Sequence, residues 1–133
     1  MIQAIGIDSV EIARFKHWSS YSSLQLKKVF SSAEIDYCLQ IPAKSAERFA
    51  VRFVAKEALY KALCSAVPEF SIPFLKICRS IEVSKDSRGV PKLSIAGNYF
   101  EQHEKIFELR NQKLFLSITH TSTVATAFVI IAT

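Results

Sequence analysis

The chain has 133 residues, of which half are apolar or aromatic, and its formal net charge is +5 at pH 7. This composition excludes a disordered chain and favours one globular domain that spans residues 1–133. The positive charge favours an anionic partner but does not identify it, because nucleic acid, a phosphorylated cofactor, an acidic protein and a membrane surface all qualify.

Apolar periodicity and turn residues predict the order of secondary structure along the chain. Ser32 is a candidate helix N-cap, and Gly89 lies in a predicted turn between two strands. In chain order, the predicted elements are a buried strand at 2–7, a helix-rich segment at 10–31, a short helix at 32–39, a long helix at 45–66, strands at 79–85 and 90–95, a helix at 98–109, and a hairpin of strands at 114–119 and 124–131. This order predicts an α+β fold in which a small, mostly antiparallel sheet packs with a long central helix.

The cysteines and the apolar runs indicate the compartment. The number of cysteines is odd and no CxxC pair is present, which argues against a disulfide framework or a zinc site. We therefore expect buried, reduced thiols at Cys38, Cys64 and Cys78. The first residues lack the basic region of a signal peptide, and the longest apolar run, residues 125–132, is far shorter than the ~20 residues that span a bilayer. These features predict a cytoplasmic protein.

The long helix places a carboxylate on its apolar face. At ~100° per residue, Glu57 falls near the middle of the stripe that we expect to face the core. The stripe consists of Ala46, Phe49, Ala50, Phe53, Tyr60 and Cys64. An ionised carboxylate in such a setting is costly unless it is paired or binds a metal, so both an ion pair with Lys61 and a metal-binding or catalytic role stay open. The other side of the helix holds three cations that a solvated face would explain: Arg48, Arg52 and Lys56.

A second pair of acids follows the first predicted strand. Asp8 comes directly after the strand, Glu11 lies three residues later, and Gly6 permits close backbone approach. Asp8 is either the N-cap of the next helix or a functional group at a strand end. Asp8 and Glu57 from separate elements would suit Mg²⁺, which prefers oxygen ligands, and in a basic protein such a site favours phosphate-ester chemistry.

Four blocks of sequence indicate a family. Residues 5–15 are IGIDSVEIARF, residues 47–63 are ERFAVRFVAKEALYKAL, residues 89–91 are GVP, and residues 116–121 are LSITHT, followed by VATA. On these blocks the chain resembles the holo-acyl-carrier-protein synthase family, the small 4′-phosphopantetheinyl transferases. It departs from the family pattern at Ser9, where a small or apolar residue, often Ile, is usual, and at residues 64–68, where the family is glycine-rich. Residues 68–78 have no clear counterpart.

The resemblance implies a reaction and the residues that perform it. In this family Mg²⁺ is bound by the residues that match Asp8 and Glu57, and a serine of an acidic acyl carrier protein attacks the phosphorus that bears pantetheine in coenzyme A. The implied catalytic residues are Asp8, Glu57 and Lys61. Glu57, acting through a metal-bound water, is the first candidate for the base, and Lys61 is the second. Such a transfer depends mainly on positioning and charge neutralisation.

The resemblance also implies binding residues and an assembly. The coenzyme A contacts would come from Arg52, Lys61, His120 and Thr121, with Lys44 and Arg48 as weaker candidates. Arg14 would dock the acidic carrier protein, and Trp18, four residues on, would share its exposed face unless it is a core residue. The implied assembly is a homotrimer with active sites between subunits, and the implied pathway is fatty acid biosynthesis.

Two other classes of function compete with this prediction. A small basic nucleic-acid-binding module would be compatible with the net charge, but its Lys and Arg would be expected in one stripe, and carboxylates would repel phosphates without a metal. A non-catalytic interaction subunit would not need Asp8, Glu57, Lys61 and His120 intact. We therefore expect no nucleic-acid partner and no membrane partner.

Overall fold

The structure is a computed structural model that describes residues 1–96 and 111–133. Its strands are β1 (Ile2–Glu11), β2 (Ile81–Lys85), β3 (Pro91–Ile95), β4 (Lys113–His120) and β5 (Val124–Ala132). Its α-helices are α1 (Ser23–Leu26), α2 (Ser32–Leu39), α3 (Ser45–Ala66) and α4 (Phe74–Ile77). Short 3₁₀ turns occupy Ile12–Phe15, Trp18–Ser20, Pro42–Lys44 and Cys78–Ser80. The helix predicted at 98–109 lies outside the described residues.

Two antiparallel sheets pack with the long helix α3. The larger sheet has the order β1-β5-β4, and β2 and β3 form a separate two-stranded sheet. Alternate residues of β5 are buried, and α3 packs against β1 and β5. One face of the larger sheet therefore forms the core with α3. The α+β fold, the long helix at Ser45–Ala66 and the β4–β5 hairpin are confirmed.

The prediction of a helix-rich segment at 10–31 is wrong for the first part of that segment. β1 continues through Glu11, which pairs with Val124 of β5. Two 3₁₀ turns follow, and the only α-helix that the structure describes within this segment is the four-residue α1. Pairing with a strand more than a hundred residues away extends β1 beyond its apolar run. At the next helix, Ser31 and not Ser32 is the N-cap, in a capping box with Glu34.

The solvated face predicted for α3 is also wrong. Lys56 is completely buried, and its Nζ donates hydrogen bonds to Oε1 of Glu34 at 2.6 Å, to the carbonyl of Val29 at 2.8 Å and to that of Cys78 at 3.0 Å. Arg52 is only 5% exposed. Burial lowers the pKa of Lys56, and the contact with Glu34 partly offsets this effect. All three ammonium hydrogens have acceptors, so the buried charge is satisfied.

The predicted apolar stripe of α3 holds in its first half and weakens toward the C-terminus. Phe49, Ala50 and Phe53 are buried, whereas Tyr60 is half-buried. Cys64 is exposed, contrary to the prediction, while Cys38 and Cys78 are buried, and all three thiols are free. At this end of α3 the fully buried residues are Ala58, Leu59, Ala62 and Leu63, so the predicted stripe no longer coincides with the side that faces the core.

Gly6 brings β1 into close contact with α3. A Cβ atom at this position would lie 2.0 Å from the carbonyl oxygen of Ala58 and 2.9 Å from the backbone nitrogen of Ala62. Both atoms belong to a helix backbone and cannot rotate away. Glycine is therefore required where strand and helix meet.

We expect Gly6→Ala to lower the free energy of unfolding by about 3 kcal/mol, at the upper end of typical overpacking costs, because the added methyl group collides with backbone. Chemical denaturation measures the change. Gly89→Ala is the comparison, since a Cβ there meets nothing within 4 Å and only the positive φ of +80° opposes it. A Gly6→Ala protein as stable as the parent chain would contradict the close contact.

Candidate active site

Asp8 lies within β1 and faces α3 at the level of Glu57 and Lys61. Oδ1 of Asp8 lies 3.1 Å from Nζ of Lys61 and accepts a hydrogen bond from the backbone N–H of Ser9 at 3.0 Å. Lys61 also donates to the carbonyl of Ile7 at 3.4 Å. Asp8 is therefore not a helix N-cap, and Lys61 forms its ion pair with Asp8 and not with Glu57.

The carboxyl groups of Asp8 and Glu57 interact directly. Burial and, after it, the neighbouring carboxyl of Asp8 together raise the pKa of Glu57 to about 7. Burial also acts to raise the pKa of Asp8, but the adjacent Glu57, together with hydrogen bonds from Lys61 and the backbone N–H of Ser9, holds it below its usual value. The pair thus consists of an ionised Asp8 and a Glu57 that is poised to lose its proton near neutral pH.

This pair has the features of a cation site. Oδ2 of Asp8 is buried and has no hydrogen-bond partner in the part of the chain that the structure describes. A cation between the two carboxylates would satisfy that oxygen and remove their repulsion. No group of three or more acidic, histidine or cysteine residues suited to a metal occurs at residues 1–96 or 111–133. A hard divalent ion that keeps several waters needs only one or two carboxylates together with phosphate oxygens.

A second cluster lies nearer the N-terminus of α3, and we call it the basic pocket. It has a volume of about 220 Å³ and is lined by Tyr37, Lys44, Glu47, Arg48, Val51, Arg52, Lys85 and His120. Nε of Arg52 is buried and has no hydrogen-bond partner among the described residues. Nε2 of His120 lies 3.2 Å from Oε1 of Glu47. The pocket thus combines several cations with an unused buried donor, which suits an anion.

The basic pocket unites four residues that the sequence proposed separately. Arg52 and His120 were predicted to bind the cofactor, and Lys44 and Arg48 were the weaker candidates. Sequence reasoning missed Tyr37 and Lys85, which reach the pocket from α2 and from the end of β2. No local signal marks them, because their contacts with α3 arise from packing between distant segments.

Thr121 lies beside His120 but outside the lining of the basic pocket. Its hydroxyl accepts hydrogen bonds from the backbone N–H groups of Thr123 at 3.2 Å and Val124 at 3.1 Å. These bonds organise the turn between β4 and β5. A cofactor contact from Thr121 stays a prediction.

The two residues predicted to dock a partner differ in their surroundings. Arg14 is exposed, its guanidinium lies 5.0 Å from the ring centre of Phe53, and its charge acts to lower the pKa of Glu57. Trp18 is half-buried and packs on the rings of Phe15, Tyr21, Phe30, Phe49 and Phe53. These contacts agree with the core role left open for Trp18. Arg14 is therefore the better candidate for contact with a partner, and docking by Trp18 stays a prediction.

The two clusters are spaced along one rigid helix. Glu57 and Arg48 are nine residues apart on α3, which corresponds to about 13 Å along its axis. The carboxylate pair can hold a cation that neutralises phosphate, and the basic pocket can bind an anion directly. This arrangement fits phosphoryl chemistry on a substrate with more than one phosphate group.

Comparisons with known proteins agree over nearly the whole chain. The family model for the 4′-phosphopantetheinyl transferase superfamily matches residues 4–127. The chain is 34% identical to the holo-[acyl-carrier-protein] synthase of Treponema denticola over 131 residues, which cover 98% of each protein. It is 37% identical to the synthase of the same name from Clostridium tetani, over 98% of this chain and 96% of that protein.

Solved structures show the same similarity. The ACPS–CoA complex of Chronobacterium ammoniagenes has a TM-score of 0.78 and 29% identity, over 97% of this chain and 96% of that one. The holo-(acyl-carrier-protein) synthase of Bacillus anthracis, in complex with CoA (3′,5′-ADP), has a TM-score of 0.71 and 26% identity, over 99% and 97%. The resemblance found in the sequence is confirmed.

Glu57→Gln is expected to change how stability depends on pH. The pKa of Glu57 is about 7 in the folded protein against an ordinary value of 4.5, so the unfolded chain loses this proton first. The contribution of Glu57 to stability is present below pH 4.5 and is lost as the pH rises to 7. The variant should therefore gain stability relative to the parent chain between pH 4.5 and 7, in melts without divalent cations. Glu11→Gln, at the exposed end of β1, is the control, and a pH-independent difference for Glu57→Gln would contradict the raised pKa.

Proposed function

The chain belongs to the 4′-phosphopantetheinyl transferase superfamily, and we propose from its site that it is a holo-acyl-carrier-protein synthase. It transfers the 4′-phosphopantetheine group of coenzyme A to a serine of an apo-acyl carrier protein and releases adenosine 3′,5′-bisphosphate. The observation that supports this function best is the contact of Asp8 with Glu57 and Lys61, in a chain similar to such synthases over nearly its full length.

The proposed cofactor is Mg²⁺, held by the carboxylates of Asp8 and Glu57. The orphaned Oδ2 of Asp8 and the coupled carboxyl pair support this choice. When bound, the ion supplies positive charge at the diphosphate of coenzyme A. The Nζ group of Lys61, which lies against Asp8, adds a second positive charge for the leaving group.

Glu57 is the proposed base for the serine hydroxyl. Without a bound cation its pKa is about 7, so a substantial share of Glu57 is already in the ionised form that a base requires at neutral pH. Lys61 is the second candidate. Ionisation of Glu57 creates the charge that the cation requires, so a proton leaves the site when the cation binds.

The basic pocket and the outer face of the sheet support the remaining proposals. The pocket would receive a phosphate of coenzyme A through Arg52 and His120.

The sheet face opposite α3 is apolar and open, with Ile5, Ile7 and Phe115 each more than half exposed. Its burial between copies would favour a homotrimer with active sites between subunits. No helix at residues 1–96 or 111–133 is long and apolar enough to cross a membrane. The proposed setting is fatty acid biosynthesis in the cytoplasm.

The test of this function is transfer to an apo-acyl carrier protein. The chain is incubated with coenzyme A, Mg²⁺ and the carrier, and intact mass measurement reports the added phosphopantetheine. Glu57→Gln should reduce the rate by at least ~10²-fold, the usual scale for loss of a general base. Glu11→Gln should transfer normally. No mass gain on any bacterial-type carrier would refute the proposal.

His120→Ala is expected to weaken coenzyme A binding while the fold is preserved. The ring is 43% exposed at the end of β4, so its removal leaves little cavity. Loss of one charge-assisted contact should raise the Kd for coenzyme A about tenfold, as measured by calorimetry. His17→Ala removes an exposed ring elsewhere and is the control. A large fall in melting temperature with normal coenzyme A affinity would indicate a purely structural His120.

Arg14→Glu is expected to impair use of the carrier protein and to leave use of coenzyme A unchanged. A charge at the rim of an interface mainly sets the association rate and its salt dependence, and the proposed carrier is acidic. The KM for the carrier should rise by about tenfold at low salt and depend less on ionic strength. Lys92→Glu makes the same charge change on an exposed residue of β3. An unchanged carrier KM and salt slope in Arg14→Glu would remove the docking role.

A further inference from the structure

Three cationic side chains surround the ring of Tyr37. The guanidinium carbons of Arg48 and Arg52 lie 3.9 Å and 4.1 Å from the ring centre. Nζ of Lys85 lies 4.9 Å from the ring centre and 2.6 Å from the Tyr37 hydroxyl. The cation nearest the hydroxyl, Lys85, is the main reason that the pKa of Tyr37 is lowered. Stacked guanidinium groups and a hydrogen-bonded lysine have few alternative rotamers, so Tyr37 holds all three cations in place.

Among the described residues, the cations that line the basic pocket outnumber its carboxylates. The described lining of the basic pocket contains four cations and one carboxylate, Glu47, which lies against His120. The nearby Glu34 is occupied by the buried Lys56. Arg52 is 95% buried, yet its Nε has no partner among residues 1–96 and 111–133. A buried donor without an acceptor is costly, so the pocket suits an anion that residues 1–96 and 111–133 do not supply.

We propose that Tyr37 is a positioning residue and Lys85 a further binding residue for a phosphomonoester dianion in the basic pocket. This dianion is the 3′-phosphate of coenzyme A, an identification that rests on the proposed function. The diphosphate belongs with Asp8 and Glu57, and the basic pocket lies about 13 Å further along α3. The phosphate that remains for the basic pocket is then the 3′-phosphate, the one phosphate of coenzyme A outside the diphosphate.

Each contact of Tyr37 has a distinct consequence for this dianion. Its ring orders Arg48 and Arg52, whose planar groups can each donate two hydrogen bonds to phosphate. Its hydroxyl fixes Lys85, whose long side chain would otherwise lose several rotamers when the phosphate binds. Tyr37 thus lowers the entropic cost of binding without touching the phosphate itself.

The test compares coenzyme A with dephospho-coenzyme A as donors in the transfer assay, with kcat and KM measured separately. The parent chain should have a lower KM for coenzyme A than for dephospho-coenzyme A. Tyr37→Phe, which keeps the ring and removes the hydroxyl, and Lys85→Met should each raise the KM for coenzyme A about tenfold, with the KM for dephospho-coenzyme A unchanged. Tyr37→Leu, which also removes the stacked ring, should raise it further. Lys92→Met, on the opposite face of the same β2–β3 hairpin, is the charge-matched control and should behave as the parent chain.

The double variant Tyr37→Phe/Lys85→Met separates positioning from independent contacts. If Tyr37 acts by holding Lys85, the KM for coenzyme A rises about tenfold in the double variant, no more than in Lys85→Met alone. Independent contacts would have additive effects and would raise this KM roughly hundredfold. Equal losses for both donors, or no loss in Tyr37→Phe, would overturn the proposal. A parent chain that transfers from both donors with the same KM would overturn it while the proposed function stands. A parent chain with no transfer at all would refute both.

Discussion

The close contact of Gly6 with the backbone of Ala58 is the constraint on which the site depends. Because no Cβ intervenes, β1 lies directly against α3. Asp8, two residues further along the same strand, then reaches the turn of α3 that holds Glu57 and Lys61. A wider spacing between strand and helix would separate the two carboxyl groups. Asp8 would then no longer raise the pKa of Glu57, and Oδ2 of Asp8 would no longer be buried without a partner.

The helix α3 is both the centre of the core and the support of the chemistry. One side presents Ala58 and Ala62 to the sheet, and another buries Lys56 in a fully satisfied network with Glu34. Since nearly every direction around the helix is occupied, its position and rotation are fixed. Rigid placement matters here because phosphoryl transfer depends on where charges lie more than on covalent participation.

Two electrostatic environments of opposite sign therefore lie on one element. The carboxylate pair can accept a cation and the basic pocket can accept an anion, so the two sites suit ligands of opposite charge. The net charge of +5 agrees with an anionic substrate and an acidic partner, but its location matters more than its size. Arg52, which we propose to bind phosphate, is withdrawn from solvent, where such a contact is screened least.

The sequence alone determined the span of α3, the β4–β5 hairpin and the unusual settings of Asp8 and Glu57. Helical periodicity and a carboxylate among phenylalanines are local signals, because they can be read from neighbouring residues without knowledge of distant segments. The tertiary structure decided the extension of β1 to Glu11, the burial of Lys56 and Arg52, and the approach of Tyr37 and Lys85 to the basic pocket. These features depend on partners far away in the chain, because a strand ends where its neighbour ends and a charged residue is buried only where another segment supplies its counter-charge or acceptors.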